Sequence, residues 1–159
     1  MKKFTIPLKI CVCVMLCLFF FSFSSYGPTE EEAGYVQQKL TEHYNEEAGI
    51  KNVKKYELHI TNTGFCRYKR FYNNGKVEYF SCNLVKYKDI GYLGTINGGT
   101  LFLRTKGDDV IVQTYNDSRG GDIDSMATSI AIPIKNIQAE DLNDLSQKIE
   151  QMSQKLRLQ

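Results

Sequence analysis

Apolar residues along this chain change period three times, and each change marks a boundary. The first stretch has no period: Lys2, Lys3 and Lys9 lead into Ile10 to Phe23, an uncharged run of apolar, cysteine and small residues. The spacing then becomes helical, with Val36, Leu40 and Tyr44 at intervals of four. From Val53 to Ile134 the period is two, as expected of strands whose successive side chains face opposite ways. Finally Leu142, Leu145, Ile149, Met152 and Leu156 return to intervals of three and four.

These periods predict elements. A helix is expected over Thr29 to Ala48: Pro28 precedes it, Thr29 and Glu32 have capping-box spacing, and Glu30, Glu31 and Glu32 put negative charge at the positive end of the helix dipole. Gly49 is a suitable C-terminal cap. Strands are expected at Val53 to Ile60, Phe65 to Tyr72, Lys76 to Tyr87, Ile90 to Ile96, Thr100 to Thr105, Val110 to Tyr115 and Thr128 to Ile134. Short Asn- and Gly-rich separators imply hairpins, hence an antiparallel meander, while Asn116 to Ser125 reads as a longer loop. Pro133 has no amide hydrogen for a ladder, which places the last strand at an edge or bulge. The second helix has Glu140, Asp141 and Asp144 near its start and Lys155 and Arg157 near its end. Barely two heptads are too short for a coiled-coil seam, so this helix is expected to lie across its own sheet.

The fold class is therefore α+β: an N-terminal helix, about seven antiparallel strands forming a sheet or partly closed roll, and a C-terminal helix packed on it. That order of elements resembles the pleckstrin-homology-like topology, a resemblance that concerns the fold alone and carries no functional residue.

The turn Asn73-Asn74-Gly75 makes a finer prediction. With three loop residues and Gly75 left-handed, Tyr72 faces Lys76, Arg70 faces Glu78, Tyr68 faces Phe80 and Cys66 faces Cys82. A two-residue turn would put the two sulfurs on opposite faces. The three-residue register supports a Cys66 to Cys82 disulfide, the alternative being two buried free thiols.

Composition changes the picture chiefly through the leader. Lys plus Arg number 20 against 18 Asp plus Glu, but three of the lysines and no acid lie in the first 27 residues, so the remainder carries 17 against 18. A near-neutral domain argues against a general nucleic-acid binder, because phosphate contacts require a basic excess. The basic start, apolar run and small residues at Ser22-Phe23-Ser24 form an export signal, with residues 1–24 removed and 25–159 left as a single domain. Cleavage after Gly27 would place Pro28 at the scissile bond. The alternative is an uncleaved anchor over about residues 10–27, shorter than the roughly 20 apolar residues of a comfortable span. Lipidation at Cys17 is the weaker reading because bulky Leu16 precedes it.

Candidate chemistry is sparse. His43 and His59 have no partner at metal-ligand spacing, and no nucleophile-elbow or paired-cysteine motif occurs, so no cofactor is expected. An imidazole–thiol pair of His59 with Cys66 is set aside because the disulfide uses the same sulfur. Asp117, Asp122 and Asp124 form a weak calcium candidate, without EF-hand spacing and with Arg119 among them. From Lys51 to Lys106, eleven basic residues stand against Glu57, Glu78 and Asp89, interleaved with tyrosine and phenylalanine. Arg67, Lys69, Tyr79, Lys86 and Lys88 are the candidate ligand-binding residues of such a sheet, for an anionic ligand or a protein partner. Its bland counterpart is a half-buried sheet with aromatics inward and cations outward.

The function expected is an exported, secreted or periplasmic, non-catalytic binding module. The alternative is a membrane-tethered structural component of a cell-envelope assembly facing away from the cytoplasm, and a small hydrolase ranks third because no spacing supports it. Intact mass of the protein from its own cells tests the leader: a chain beginning at Ser25 is expected, and one retaining residues 10–27 moves the weight to the tethered alternative.

Overall fold

A computed structural model describes residues 29–48 and 52–159. The leader, its cleavage site and the Gly49 cap lie outside the described residues. The elements are α1 (Glu30–Glu42), β1 (Val53–Ile60), β2 (Phe65–Tyr72), β3 (Val77–Asn83), a 3-10 turn (Leu84–Lys86), β4 (Tyr87–Thr95), β5 (Gly98–Thr105), β6 (Val110–Tyr115), β7 (Asp124–Ala127), β8 (Ser129–Ile134) and α2 (Ala139–Arg157). The class is α+β, with a helix at each end of the strands and α2 packed against them.

The strands form two sheets, a five-stranded one in the order β1-β2-β3-β6-β7 and a three-stranded one in the order β4-β5-β8. Every pairing is antiparallel. Hairpins link β1 to β2 to β3 and β4 to β5, but the chain crosses to the second sheet after β3 and returns after β5 to lay β6 beside β3. The first crossing divides the strand expected over Lys76 to Tyr87. Asn83 is the cause: its side-chain Oδ1 accepts from the Val85 amide at 2.9 Å, closing the 3-10 turn that re-aims the chain.

Two further boundaries differ from the sequence pattern for reasons visible in the pairing. β7 occupies the end of the expected Asn116 to Ser125 loop; its Asp-Ser-Met-Ala sequence has no β-branched or aromatic residue, and its strand state comes from pairing with β6. Helix α1 stops at Glu42 rather than Ala48 because the chain turns to border β8. Lys135 N donates to His43 O at 2.7 Å, Asn45 N donates to Pro133 O at 3.0 Å, and Tyr44 bridges Ile134. This short partner covers the free side of β8, the edge strand on which Pro133 sits.

The cap expected at Thr29 is also replaced. Its side chain makes no cap hydrogen bond; the hydroxyl donates to Asn62 O in the β1–β2 turn, and Glu32 pairs with Lys155 of α2. Tertiary partners thus take both side chains of the local motif. The opposite edge of the large sheet is closed by one side chain: Gln37 Nε2 donates to Leu58 O at 2.8 Å while its Oε1 accepts from Ile60 N at 2.8 Å. A single amide satisfies two ladder groups of β1 and blunts an edge open to pairing.

The core lies between the sheets and the helices. Val36 and Leu40 of α1, Leu145, Ile149 and Met152 of α2, Leu101, Leu103, Ile130, Ile132 and Ile134 of the small sheet, and Leu58 and Tyr68 of the large one are all buried in it. The apolar stripe of α2 therefore serves its own fold. Helix and sheet are joined at α2's end, where Arg157 donates to Val85 O at 3.0 Å, to Tyr87 O at 3.1 Å and to Ser153 Oγ at 2.8 Å.

Two glycines separate conformational need from packing need. Gly64 has φ +79°, and a Cβ there would lie 2.3 Å from Leu156 Cδ1, whereas Gly34 is exposed in mid-helix with open space around it. Gly64→Ala is expected to lower stability by about 1–3 kcal/mol. Gly34→Ala is expected to raise it by about 0.5–1 kcal/mol, both read by chemical denaturation.

Candidate ligand-binding face

The β2–β3 hairpin decides which side chains face inward. Gly75 has φ +87°, Tyr72 N donates to Lys76 O at 2.9 Å, and Gly75 N donates to Tyr72 O at 3.1 Å, giving the three-residue turn. Arg70 then stands opposite Glu78, Tyr68 opposite Phe80 and Cys66 opposite Cys82, as the turn chemistry predicts. Even-numbered residues of β2 and β3 face the core, and odd-numbered ones face away from it.

Toward the turn the inward face becomes polar. Arg70 Nη2 pairs with Glu78 Oε2 at 2.8 Å, and Lys76 Nζ reaches both Glu78 Oε1 at 3.1 Å and Asp117 Oδ2 at 2.8 Å. Tyr72 donates its hydroxyl to Glu78 at 2.7 Å; burial, then this bond to a carboxylate, push its pKa up to about 12. The Arg70 guanidinium lies 4.7 Å from the Phe80 ring centre and 5.5 Å from that of Tyr68. Deeper in, the Tyr68 and Tyr44 hydroxyls bond at 2.7 Å, and Tyr44 stacks on Tyr56 with 3.5 Å between ring centres. Burial raises the pKa of both Tyr68 and Tyr44, holding them neutral. Each charge here has an opposite neighbour, so the network is a closed structural cluster.

Asp117 is the outer anchor of that cluster. Its Oδ1 accepts from the amides of Arg119 and Gly120, both at 3.1 Å. The ion pair with Lys76 and these two amides hold its pKa at about 2. Asp122 bonds back to the Asp117 amide at 3.2 Å, and Asp124 lies on β7 opposite Gln113. The three aspartates have separate jobs, and among the described residues no group of three His, Cys, Asp or Glu side chains gathers as a metal site would require.

The outward face of the five-stranded sheet is different. It carries Lys55, Glu57 and His59 of β1, Phe65, Arg67, Lys69 and Phe71 of β2, Val77, Tyr79 and Ser81 of β3, Ile111 and Tyr115 of β6, and Met126 of β7. None of these belongs to the core cluster. Phe65, Ile111, Tyr115 and Met126 are 37%, 39%, 45% and 54% exposed, so this apolar surface is open among the described residues. Lys69 stands opposite Tyr79 with its ammonium 5.1 Å from the ring centre. Arg67 stands opposite Ser81, which is buried, and the Arg67 Nε is enclosed with no hydrogen-bond partner among the described residues. Glu57 stands opposite Lys69 but gives its ion pair to Lys55 at 2.8 Å, so neither Arg67 nor Lys69 has an ion-pair partner among the described residues.

Of the five expected binding residues, then, Arg67, Lys69 and Tyr79 share one patch. Lys86 and Lys88 do not: one closes the 3-10 turn and the other sits at the bulge of β4, both exposed. The linear excess of cations is dispersed rather than pooled, since Arg70, Lys76 and Arg104 each pair with an acid. Phe65 and Phe71 belong to the aromatic interleaving of the sequence, but Ile111, Tyr115 and Met126 carry no signal there, because alternation gives a face only once register and strand order are known. His59 and Cys66 lie on opposite faces of the sheet, which removes that pair. His43 Nδ1 is bonded to Lys135 O at 3.1 Å.

A cleft of about 590 Å³ opens where α1 meets β1, lined by Tyr44, Asn45, Glu46, Glu47, Ala48, Val53, Lys54, Lys55 and Tyr56. Its two carboxylates are not hydrogen-bonded to any serine, cysteine or histidine side chain among the described residues. No family model, curated protein or solved structure matches the chain. Among the described residues no helix is long and apolar enough to cross a membrane.

Asp117 gives the cluster a pH signature. With its pKa lowered from 3.8 to about 2, its contribution to stability is full above about pH 4 and is lost as pH falls toward 2. Asp117→Asn keeps an oxygen for the two amides but removes the charge, so stability plotted against pH should fall less steeply across that window. Glu32 and Asp141, lowered by bonds to Lys155 and Lys39, keep the slope from vanishing.

Proposed function

We propose that this chain is an exported, non-catalytic binding module that docks an acidic protein surface on the outward face of its five-stranded sheet. The observation that carries the reading is the placing of Arg67 and Lys69 within an open apolar surround. Neither cation is in an ion pair among the described residues, Glu57 opposite Lys69 being held by Lys55. A patch of Phe, Tyr, Met and Arg has the composition of interface cores rather than of ordinary surface. Arg67, opposite a buried serine and in no ion pair among the described residues, has a guanidinium able to donate to a carboxylate. The N-terminal basic and apolar segment supports export, and the lack of a catalytic constellation in the sequence supports binding over chemistry.

A protein partner fits this patch better than a polyanion does. Polyanion sites track a long charged backbone with many cations, and here three cations, one of them paired with Glu57, stand among five or more apolar side chains. Ion pairs at the centre of such a patch set register and partner choice, and removing one side of a desolvated pair weakens binding by roughly tenfold or more.

The test uses protein isolated from its own cells after in situ cross-linking, beside the double variant Arg67→Glu/Lys69→Glu. Cross-links from Lys69 to one protein are expected, with recovery of that protein at least about tenfold lower in the variant at equal Tm. Recovery of the same partner by both proteins would remove this face from the account. Binding to heparin or anionic vesicles, with no protein cross-linked, would replace the partner with a polyanion or a membrane.

A further inference from the structure

We infer that Cys66 and Cys82 form an intrachain disulfide, made while the β2–β3 hairpin is open and sealed when the sheet closes over it. The bonds Tyr72 N to Lys76 O and Leu84 N to Gly64 O bracket an unbroken ladder, and Cys66 and Cys82 face each other within it on the inward side. Directly opposed strand residues have Cα atoms about 5.5 Å or less apart, inside the span a disulfide bridges. In the structure both are free, buried thiols on directly opposed residues.

Burial controls when the bond can form. Cys66 is 0% and Cys82 3% exposed, with Ile60 opposite Cys66 on the next strand. The neighbouring Cys82 thiol and the burial hold the Cys66 thiol well above its ordinary pKa. Exchange needs an exposed thiolate attacking a disulfide sulfur, so the folded dithiol lacks both the nucleophile and the access. In the open chain both are available. The balanced step takes a disulfide oxidant, either a thiol–disulfide oxidoreductase or glutathione disulfide. One cysteine thiolate displaces a thiolate from it to give a mixed disulfide, and the other attacks that sulfur, leaving the Cys66–Cys82 bond and two reduced thiols. Two electrons pass to the oxidant's sulfurs, and the two protons given up by Cys66 and Cys82 end on the two thiols it becomes. Export supplies such an oxidant in the cell, but the bond itself depends only on the pairing and is independent of the binding face.

The full chain is unfolded, refolded with mixed reduced and oxidised glutathione, and digested with trypsin without reductant. A linked pair of peptides, Tyr56–Arg67 and Val77–Lys86, is expected; Cys11, Cys13 and Cys17 fall in a separate peptide, Ile10–Lys39. Free Cys66 and Cys82 alkylated in the unfolded, unreduced product, or either one linked to Ile10–Lys39, overturns the pairing. In a second arm the chain is folded under reductant and then given glutathione disulfide: linkage should be at least about 100-fold slower than in the unfolded chain. Equal rates overturn the sealing. The oxidised protein should melt roughly 10 °C above Cys66→Ala/Cys82→Ala, and equal melting contradicts a bond that closes this loop.

Discussion

A three-residue turn sets the sidedness of the larger sheet. Asn73 and Asn74 shape it and Gly75 takes the left-handed conformation that L side chains avoid, so β2 returns as β3 with Cys66 opposite Cys82 and Arg70 opposite Glu78. Because side chains alternate, a slip of one residue would turn Tyr68 outward and Lys69 inward if β2 moved, or Phe80 outward and Tyr79 inward if β3 moved. The core, the polar cluster and the outward patch are three consequences of one register. The Arg70–Glu78 pair reinforces it: removing Glu78 would leave the largely buried Arg70 charge without its acid, whereas Glu78 without Arg70 keeps Lys76.

The same register explains why a strongly basic segment does not make a strongly basic surface. Charge along a strand is divided between two faces, and the inward share is neutralised by acids that arrive from elsewhere. Glu78 comes from the partner strand and Asp117 from the loop after β6. What is left outward is a small number of cations set among aromatics. That contrast, not total charge, gives the face its character.

Local signals in the sequence were sufficient where the structure is local. The helical stripe of α2, the hairpin register and the Pro133 edge strand all follow from spacing or turn chemistry. They were insufficient where tertiary pairing overrules them. Thr29 gives its hydroxyl to Asn62 instead of its own helix, residues 43–45 leave α1 to border β8, and β7 is a strand only because β6 lies beside it. The site follows the same division. Arg67, Lys69 and Tyr79 share a face by simple alternation, whereas Ile111 and Met126 join them through the β3–β6 and β6–β7 pairings, which bridge the excursion into the second sheet. Lys86 and Lys88 lie apart because the 3-10 turn at Leu84–Lys86 takes the chain to the other sheet, and their parity with Cys82 would not have placed them on the outward side.

Sidedness is most directly measured by thiol labelling of the folded, reduced protein, read residue by residue from its peptides. Native Cys66 and Cys82 are compared with cysteines introduced by Lys69→Cys and Tyr79→Cys. The account requires the introduced thiols to label at rates near those of the unfolded chain while Cys66 and Cys82 stay protected. Labelling of Cys66 or Cys82 as fast as the introduced thiols would contradict it.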